Sequence, residues 1–170
     1  MNRPILWDKL KRLNVSTKLI AMLQAIYTSV LACVRWAGQL SNFFQCPLGL
    51  KQGCLMSPII FSLLITDVAD YVREKGKHGF QLIPGREEIF SLLFADDIVL
   101  LSSTPTGLQT QINSLQRASD SLGLTVNIDK TKVMVFRKGG FLGKKEKWTL
   151  DGKPLEVVNS YKYLGYTLKS

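Results

Sequence analysis

The sequence predicts an α+β fold, and three observations predict it. Apolar residues recur at helical spacing between Pro105 and Gly123, a Ser57-Pro58 pair opens a long apolar run, and two adjacent acids separate two apolar strands between Ile89 and Ser102. With 170 residues, 46% of them hydrophobic, and a formal net charge of +9, the chain suits one globular unit with a real core.

Taken in order, Ser16 is the N-cap of a helix that carries Leu19, Ile20, Leu23, Ile26 and Tyr27 on one stripe. Leu19 to Val34 is the most apolar helical stretch. It contains Gln24, Thr28 and Ser29 and is shorter than the ~18 residues that a membrane crossing requires, so it reads as a buried helix. Ala32 to Cys46 predicts a hairpin turning near Ala37-Gly38. A loop containing Gly49 and Gly53 leads to Ser57 as N-cap and Pro58 at the first helical position, followed by Ile59, Ile60, Phe61, Leu63, Leu64 and Ile65. Phe80 to Ile83 pairs with Glu88 to Phe94 across Pro84-Gly85. Thr104-Pro105 opens a helix whose buried face is Leu108, Ile112, Leu115, Ala118 and Leu122, and Gly123 ends it as a C′ residue. Gly139 to Lys147 is a flexible Gly/Lys connector, after which Trp148–Leu150 and Leu155–Val157 flank the turn signal Asp151-Gly152.

Chemistry concentrates at Asp96-Asp97. Favoured two-residue hairpin tips are Asn-Gly or Asp-Gly, because both positions often need positive φ, and Asp-Asp meets that demand poorly. Two like charges beside an apolar core also raise a pKa or demand a cation. A hard divalent cation answers both, since it takes carboxylate oxygens and keeps open positions for water and phosphate. Taken alone, the pair also fits an ordinary surface turn, because Asp bonds its own backbone there.

Neighbouring blocks add a resemblance. Phe94-Ala95-Asp96-Asp97 followed by Ile98 to Ser102 resembles the catalytic hairpin of reverse transcriptases, and Leu48 to Ile65, LGLKQGCLMSPIIFSLLI, is similar to the Gln-Gly and Ser-Pro block of LINE-type retrotransposons lacking long terminal repeats. One position departs, with Leu55 standing where many relatives carry Pro. Gly123 to Phe136 and the Tyr163-Leu164-Gly165 triplet match two further blocks in family order. The resemblance implies a polymerase palm, an antiparallel sheet backed by the helices that start at Pro58 and Pro105, with a small C-terminal β-hairpin appendage. It implies nucleotidyl transfer by a two-metal mechanism, with Asp96 and Asp97 as catalytic metal ligands for Mg²⁺, or Mn²⁺ as an alternative. Lys51, Gln52 and Gly53 then face the template and incoming nucleotide, and Tyr163, Leu164 and Gly165 support the primer end. Lys130 is the best match to the lysine that protonates the leaving pyrophosphate, with Lys132 second and the two on one strand face; a solvent-exposed strand lysine is the competing reading. The partners implied are an RNA template, a DNA primer and, in the intact enzyme, a deoxynucleoside triphosphate.

The family's palm carries its first metal-binding Asp on an earlier strand. Asn2 to Leu10 resembles the segment directly after that block, which places the aspartate about two residues before Met1. Asp8, on the next helix, lies on the wrong element to replace it. The expectation is a partial reverse-transcriptase palm over residues 1–138, a connector over 139–147 and a primer-grip-like hairpin of the same domain over 148–170. A partner chain that supplies the missing palm and fingers is one way to complete it, and a catalytically inactive nucleic-acid-binding remnant is the alternative function.

Charge is uneven. From Lys130 onward ten Lys/Arg face three acids, whereas twelve face ten before it. A basic lobe beside an acidic tip suits a phosphate-backbone substrate, although surface lysines serve solubility equally. Cys33, Cys46 and Cys54 are odd in number and lack CxxC spacing, which indicates a reducing intracellular compartment without distinguishing nucleus from cytoplasm. The single histidine, His78, sits in a Lys-rich loop, so histidine-based catalysis has no support. No signal peptide and no membrane span is expected.

Overall fold

Capping residues set where the helices begin. The computed structural model describes residues 2–76, 78–137 and 146–170. Helix α1 (Arg3–Arg12) has Pro4 in its first turn, and α2 (Thr17–Thr28) is capped by Ser16, whose Oγ accepts the Leu19 N–H at 3.3 Å. Helix α4 (Pro105–Ser121) starts where Thr104 Oγ1 accepts the Gly107 N–H at 3.1 Å, and Gly123, with φ +62°, turns the chain out of it. The expected cap at Ser57 is corrected. Ser57 is the first residue of α3 (Ser57–Lys75), and its hydroxyl donates to the Lys51 carbonyl at 2.8 Å instead of accepting a helical N–H.

Strands are short. They comprise β1 (Leu31–Ala32), β2 (Arg35–Trp36), β3 (Gln39–Leu40), β4 (Phe44–Gln45), β5 (Ser91–Phe94), β6 (Asp97–Leu100), β7 (Lys132–Val133), β8 (Thr149–Leu150), β9 (Lys153–Pro154), β10 (Glu156–Val157), β11 (Ser160–Tyr163) and β12 (Tyr166–Lys169). Five antiparallel pairs form, β1 with β4, β2 with β3, β5 with β6, β8 with β9 and β11 with β12, and one parallel pair joins β7 to β10. Helices and paired strands together make an α+β chain.

Two compact units divide the chain, Met1–Thr66 with Leu122–Leu124, and Asp67–Ser121 with Thr125–Ser170. In the first, Leu6 and Leu10 of α1, Ile20 and Leu23 of α2 and Ile60 of α3 form a core flanked by Trp7, Val15, Leu50 and Leu63. Each such buried side chain contributes roughly 1.5–3 kcal/mol over its exposed state. The α2 stripe is narrower than expected: Ile20, Leu23 and Tyr27 are buried, while Leu19 and Ile26 are exposed. The helix also stops at Thr28, because Leu31–Ala32 leaves to pair with β4.

The core of the second unit is Ile112 of α4 with Val133, Trp148, Leu150 and Leu155, and Leu100 and Leu108 pack against it. Polar anchors fix the same contacts. The Trp148 indole donates to the Pro105 carbonyl at 2.9 Å, and Gln109 bonds both backbone groups of Thr149. Two local expectations change here. Phe80 and Ile89 form a single antiparallel bridge in place of two paired strands. Asp151-Gly152 does turn a hairpin, but its return strand is Lys153–Pro154, while Glu156–Val157 pairs with β7. Of the connector expected over 139–147, only Glu146 and Lys147 fall among the described residues. Among those residues no helix is long and apolar enough to cross a membrane.

Candidate active site

Asp96 and Asp97 stand at the turn between β5 and β6, but the tip is not Asp-Asp. Phe94 pairs with Asp97, so the two turn residues are Ala95 and Asp96, and Asp97 is the first residue of β6. Ala95 takes φ +52° and Asp96 does not enter the positive-φ region. Positive then negative φ is the sign pattern of a type II′ turn, which needs the unusual backbone at its first position only. The steric burden expected of the aspartates therefore falls on an alanine.

Cross-strand pairing assigns the faces. Leu93 with Ile98 and Ser91 with Leu100 share one face, and Leu100 packs on the core. Leu92 with Val99 and Phe94 with Asp97 share the other, where Phe94 is 60% exposed. Both carboxylates are exposed as well. Neither has a hydrogen-bond or ion-pair partner among the described residues. Solvated carboxylates with free lone pairs suit a hard cation that keeps part of its water shell. They do not make a closed cage: among the described residues, no three His, Cys, Asp or Glu side chains gather as metal ligands.

The hairpin is held from below. Leu101 N–H donates to the Phe90 carbonyl at 2.8 Å, and the Leu101 carbonyl accepts from Gln111 Nε2 of α4 at 2.9 Å. Gln111 is fully buried, and nothing in the sequence marks it, because a glutamine on a helix reads as surface.

Lys130 and Lys132 do not share a strand face. Lys130 lies in a turn with its N–H on Asn127 Oδ1 at 3.1 Å, and Lys132 begins β7 with its ammonium 2.5 Å from Glu156. The turn forms because Asn127 and Thr131 bond the backbone locally, a competing pattern for these residue types. Tyr163 and Tyr166 pair across the Leu164-Gly165 tip of the β11–β12 hairpin, and the Tyr161 hydroxyl donates to the Lys130 carbonyl at 3.4 Å. That contact brings Lys130 and the C-terminal hairpin together.

Lys51, Gln52 and Gly53 belong to the first unit, in the loop between β4 and α3. Gln52 and Gly53 are exposed, and Gly53 has φ +78°. The Lys51 carbonyl accepts from Ser57 Oγ, and that hydroxyl lies 3.0 Å from the Tyr27 hydroxyl. The Cys54 thiol is held below its ordinary range, chiefly by backbone hydrogen bonding at Met56. Cys33, Cys46 and Cys54 are free thiols.

The structure thus carries the acidic pair on a hairpin, the Gln52-Gly53 segment in a loop leading into the Ser57-Pro58 helix start, and Tyr163–Gly165 on a second hairpin. The family model described as reverse transcriptase (RNA-dependent DNA polymerase) matches residues 1–168, and this chain belongs to that family. Among curated proteins it is similar to the "Retrovirus-related Pol polyprotein from type-1 retrotransposable element R2" of Popillia japonica, 27% identical over 150 residues that cover 85% of this chain and 24% of the relative. The protein of the same description from Nasonia vitripennis is 29% identical over 133 residues, covering 72% of this chain and 12% of that relative. The chain thus spans about a quarter or less of the curated relatives it matches.

Proposed function

We propose that this chain is the portion of a retrotransposon reverse transcriptase that bears its catalytic aspartate pair, and that the intact protein is an RNA-directed DNA polymerase. The observation that carries the reading is the β5–β6 tip, where, among the described residues, Asp96 takes a place that glycine fills in the other two-residue hairpin tips and neither carboxylate has a protein partner. Asp96 and Asp97 hold Mg²⁺, with Mn²⁺ as an alternative. The metal, when bound, neutralises charge on the attacking 3′-oxygen and the triphosphate.

The remaining roles fall to this chain's own groups. Lys51, Gln52 and Gly53 line the template and the incoming deoxynucleoside triphosphate. Tyr163, Leu164 and Gly165 support the primer end, on a primer-grip-like hairpin within residues 148–170 that follows the partial palm of residues 1–138. As the primer 3′-oxygen bonds to the α-phosphorus and pyrophosphate leaves, Lys130 donates a proton to the departing oxygen. Lys130 is preferred to Lys132 because the ammonium of Lys132 is engaged by Glu156. A reducing intracellular compartment suits the free thiols.

Primer extension on an RNA template tests the reading. The intact protein is expected to make cDNA in Mg²⁺ and to lose that activity in Asp96→Asn; activity that survives the substitution overturns the assignment. A second reading rests on the ligand count, because the described residues gather no third metal ligand. On that reading the chain alone, or without a partner chain that completes the palm, binds nucleic acid and does not polymerise. Salt-sensitive RNA binding without metal dependence supports it, and robust Mg²⁺-dependent synthesis by the isolated chain refutes it.

A further inference from the structure

Arg3 is the first residue of α1, is only 9% exposed, and has no carboxylate paired with it among the described residues. A buried cation without a counter-ion is costly unless every donor is satisfied. Here the guanidinium is spread over backbone carbonyls. Nε donates to Gly49 at 2.9 Å, Nη1 to Tyr27 at 2.9 Å, and Nη2 to Cys46 at 2.7 Å and Leu48 at 3.4 Å. Its central carbon also lies 5.2 Å from the centre of the Tyr27 ring. Three of the four carbonyls belong to 46–49, the stretch that delivers the chain to Lys51.

Tyr27 carries the clamp onward. Ser57 Oγ has one proton and gives it to the Lys51 carbonyl, so the Tyr27 hydroxyl is the donor in their 3.0 Å contact. The same ring lies 6.0 Å from the Lys51 ammonium. The loop is therefore gripped at 46–49 by Arg3 and at Lys51 through Tyr27 and Ser57, while Gln52 and Gly53 project into solvent. A planar fork can reach several carbonyls at once. A lysine ammonium, a point charge on a flexible stem, cannot.

We propose that Arg3 is the positioning residue of the Lys51–Gln52–Gly53 loop, acting only through backbone carbonyls. Its significance for template or nucleotide binding rests on the function proposed above. Arg3 touches no substrate and carries no step of the reaction.

Arg3→Lys and Arg3→Ala in the full chain test this by hydrogen exchange read peptide by peptide, with circular dichroism as the check on the fold. Exchange over 46–57 is expected to accelerate by about tenfold or more while α4 keeps its protection. The pH midpoint for alkylation of Cys54, read by mass spectrometry apart from Cys33 and Cys46, should rise toward that of an ordinary thiol. Free guanidinium at a sub-denaturing concentration should restore protection in Arg3→Ala and leave Arg3→Lys unchanged. Exchange over 46–57 within about twofold of wild type in both variants overturns the inference. So does loss of the whole fold in both, which would make Arg3 a general anchor of its unit. Affinity for an RNA–DNA template–primer separates the two ideas: a loosened loop with unchanged affinity upholds the role of Arg3 and removes this loop from the proposed substrate site.

Discussion

The β2–β3 and β5–β6 hairpins start their turns alike and part at the second residue. Ala37 opens one with φ +48° and Ala95 opens the other with φ +52°. Next comes Gly38 at φ +81° in the first and Asp96, outside the positive-φ region, in the second. The Asp151-Gly152 and Leu164-Gly165 tips share the first pattern, with both residues at positive φ. Two positive angles are the type I′ turn, whose twist matches the flanking strands, and glycine reaches the second angle without steric cost. Three hairpins thus use the residue that local sterics favour, and the fourth places a carboxylate there instead. The negative φ at position 96 makes no steric demand, so the turn itself does not require a carboxylate there, and a charged residue the fold does not call for is where function is expected.

Metal affinity should divide the two hairpins most sharply. Asp96→Asn keeps the shape of the side chain and removes its charge, so calorimetric Mg²⁺ binding should vanish. On the proposed function, the polymerisation rate of the intact protein should fall by at least ~10²-fold, in line with the loss of one preorganised electrostatic contact. Undiminished binding would make the β5–β6 tip a surface turn like the others. Next in size is the support beneath it. Gln111→Leu removes the donor to the Leu101 carbonyl from a fully buried position and should cost about 1–3 kcal/mol in urea unfolding. An unchanged midpoint would mean that removing the buried Gln111 Oε1, which has no partner among the described residues, offsets the donor lost at the Leu101 carbonyl.

How far these features are legible in the sequence depends on how local the signal is. Ser16, Thr104-Pro105 and Gly123 mark helix ends because a cap is decided by one side chain and its nearest backbone. The turns at Ala37-Gly38 and Asp151-Gly152 are legible for the same reason. Partner choice is not, because Glu156–Val157 joins β7 from far along the chain and nothing in either segment encodes that pairing. At the site, the acids and the Tyr163–Gly165 hairpin are visible as motifs, whereas the φ angle of Ala95 and the turn at Lys130 depend on register. Arg3 and Gln111 are invisible altogether, since both are polar residues on helices whose burial only tertiary packing decides.

Ala95→Gly should stabilise the chain by roughly 0.5–1 kcal/mol. The left-handed backbone costs alanine about 1–2 kcal/mol, and the added freedom of glycine in the unfolded chain returns part of the gain. A loss of stability in thermal unfolding would mean that the Ala95 methyl makes contacts worth more than its strain.

The smallest expected effect on stability sharpens the contrast most. Asp96→Gly gives β5–β6 the Ala-Gly tip that β2–β3 already uses at Ala37-Gly38. The turn can then take two positive angles, and the side-by-side charges at 96 and 97 disappear. Both changes favour the fold, while glycine at 96 also loosens the unfolded chain, so the midpoint of unfolding should stay level or rise by no more than ~0.5 kcal/mol. Mg²⁺ binding should be lost all the same. Retained stability with lost binding is the signature of a residue kept for its chemistry, because selection on folding alone would have no reason to exclude glycine here. A drop beyond ~1 kcal/mol would mean that the Asp96 carboxylate holds the turn itself, through the local backbone bonding that makes Asp common in turns, and the contrast between the two hairpins would then be structural in origin.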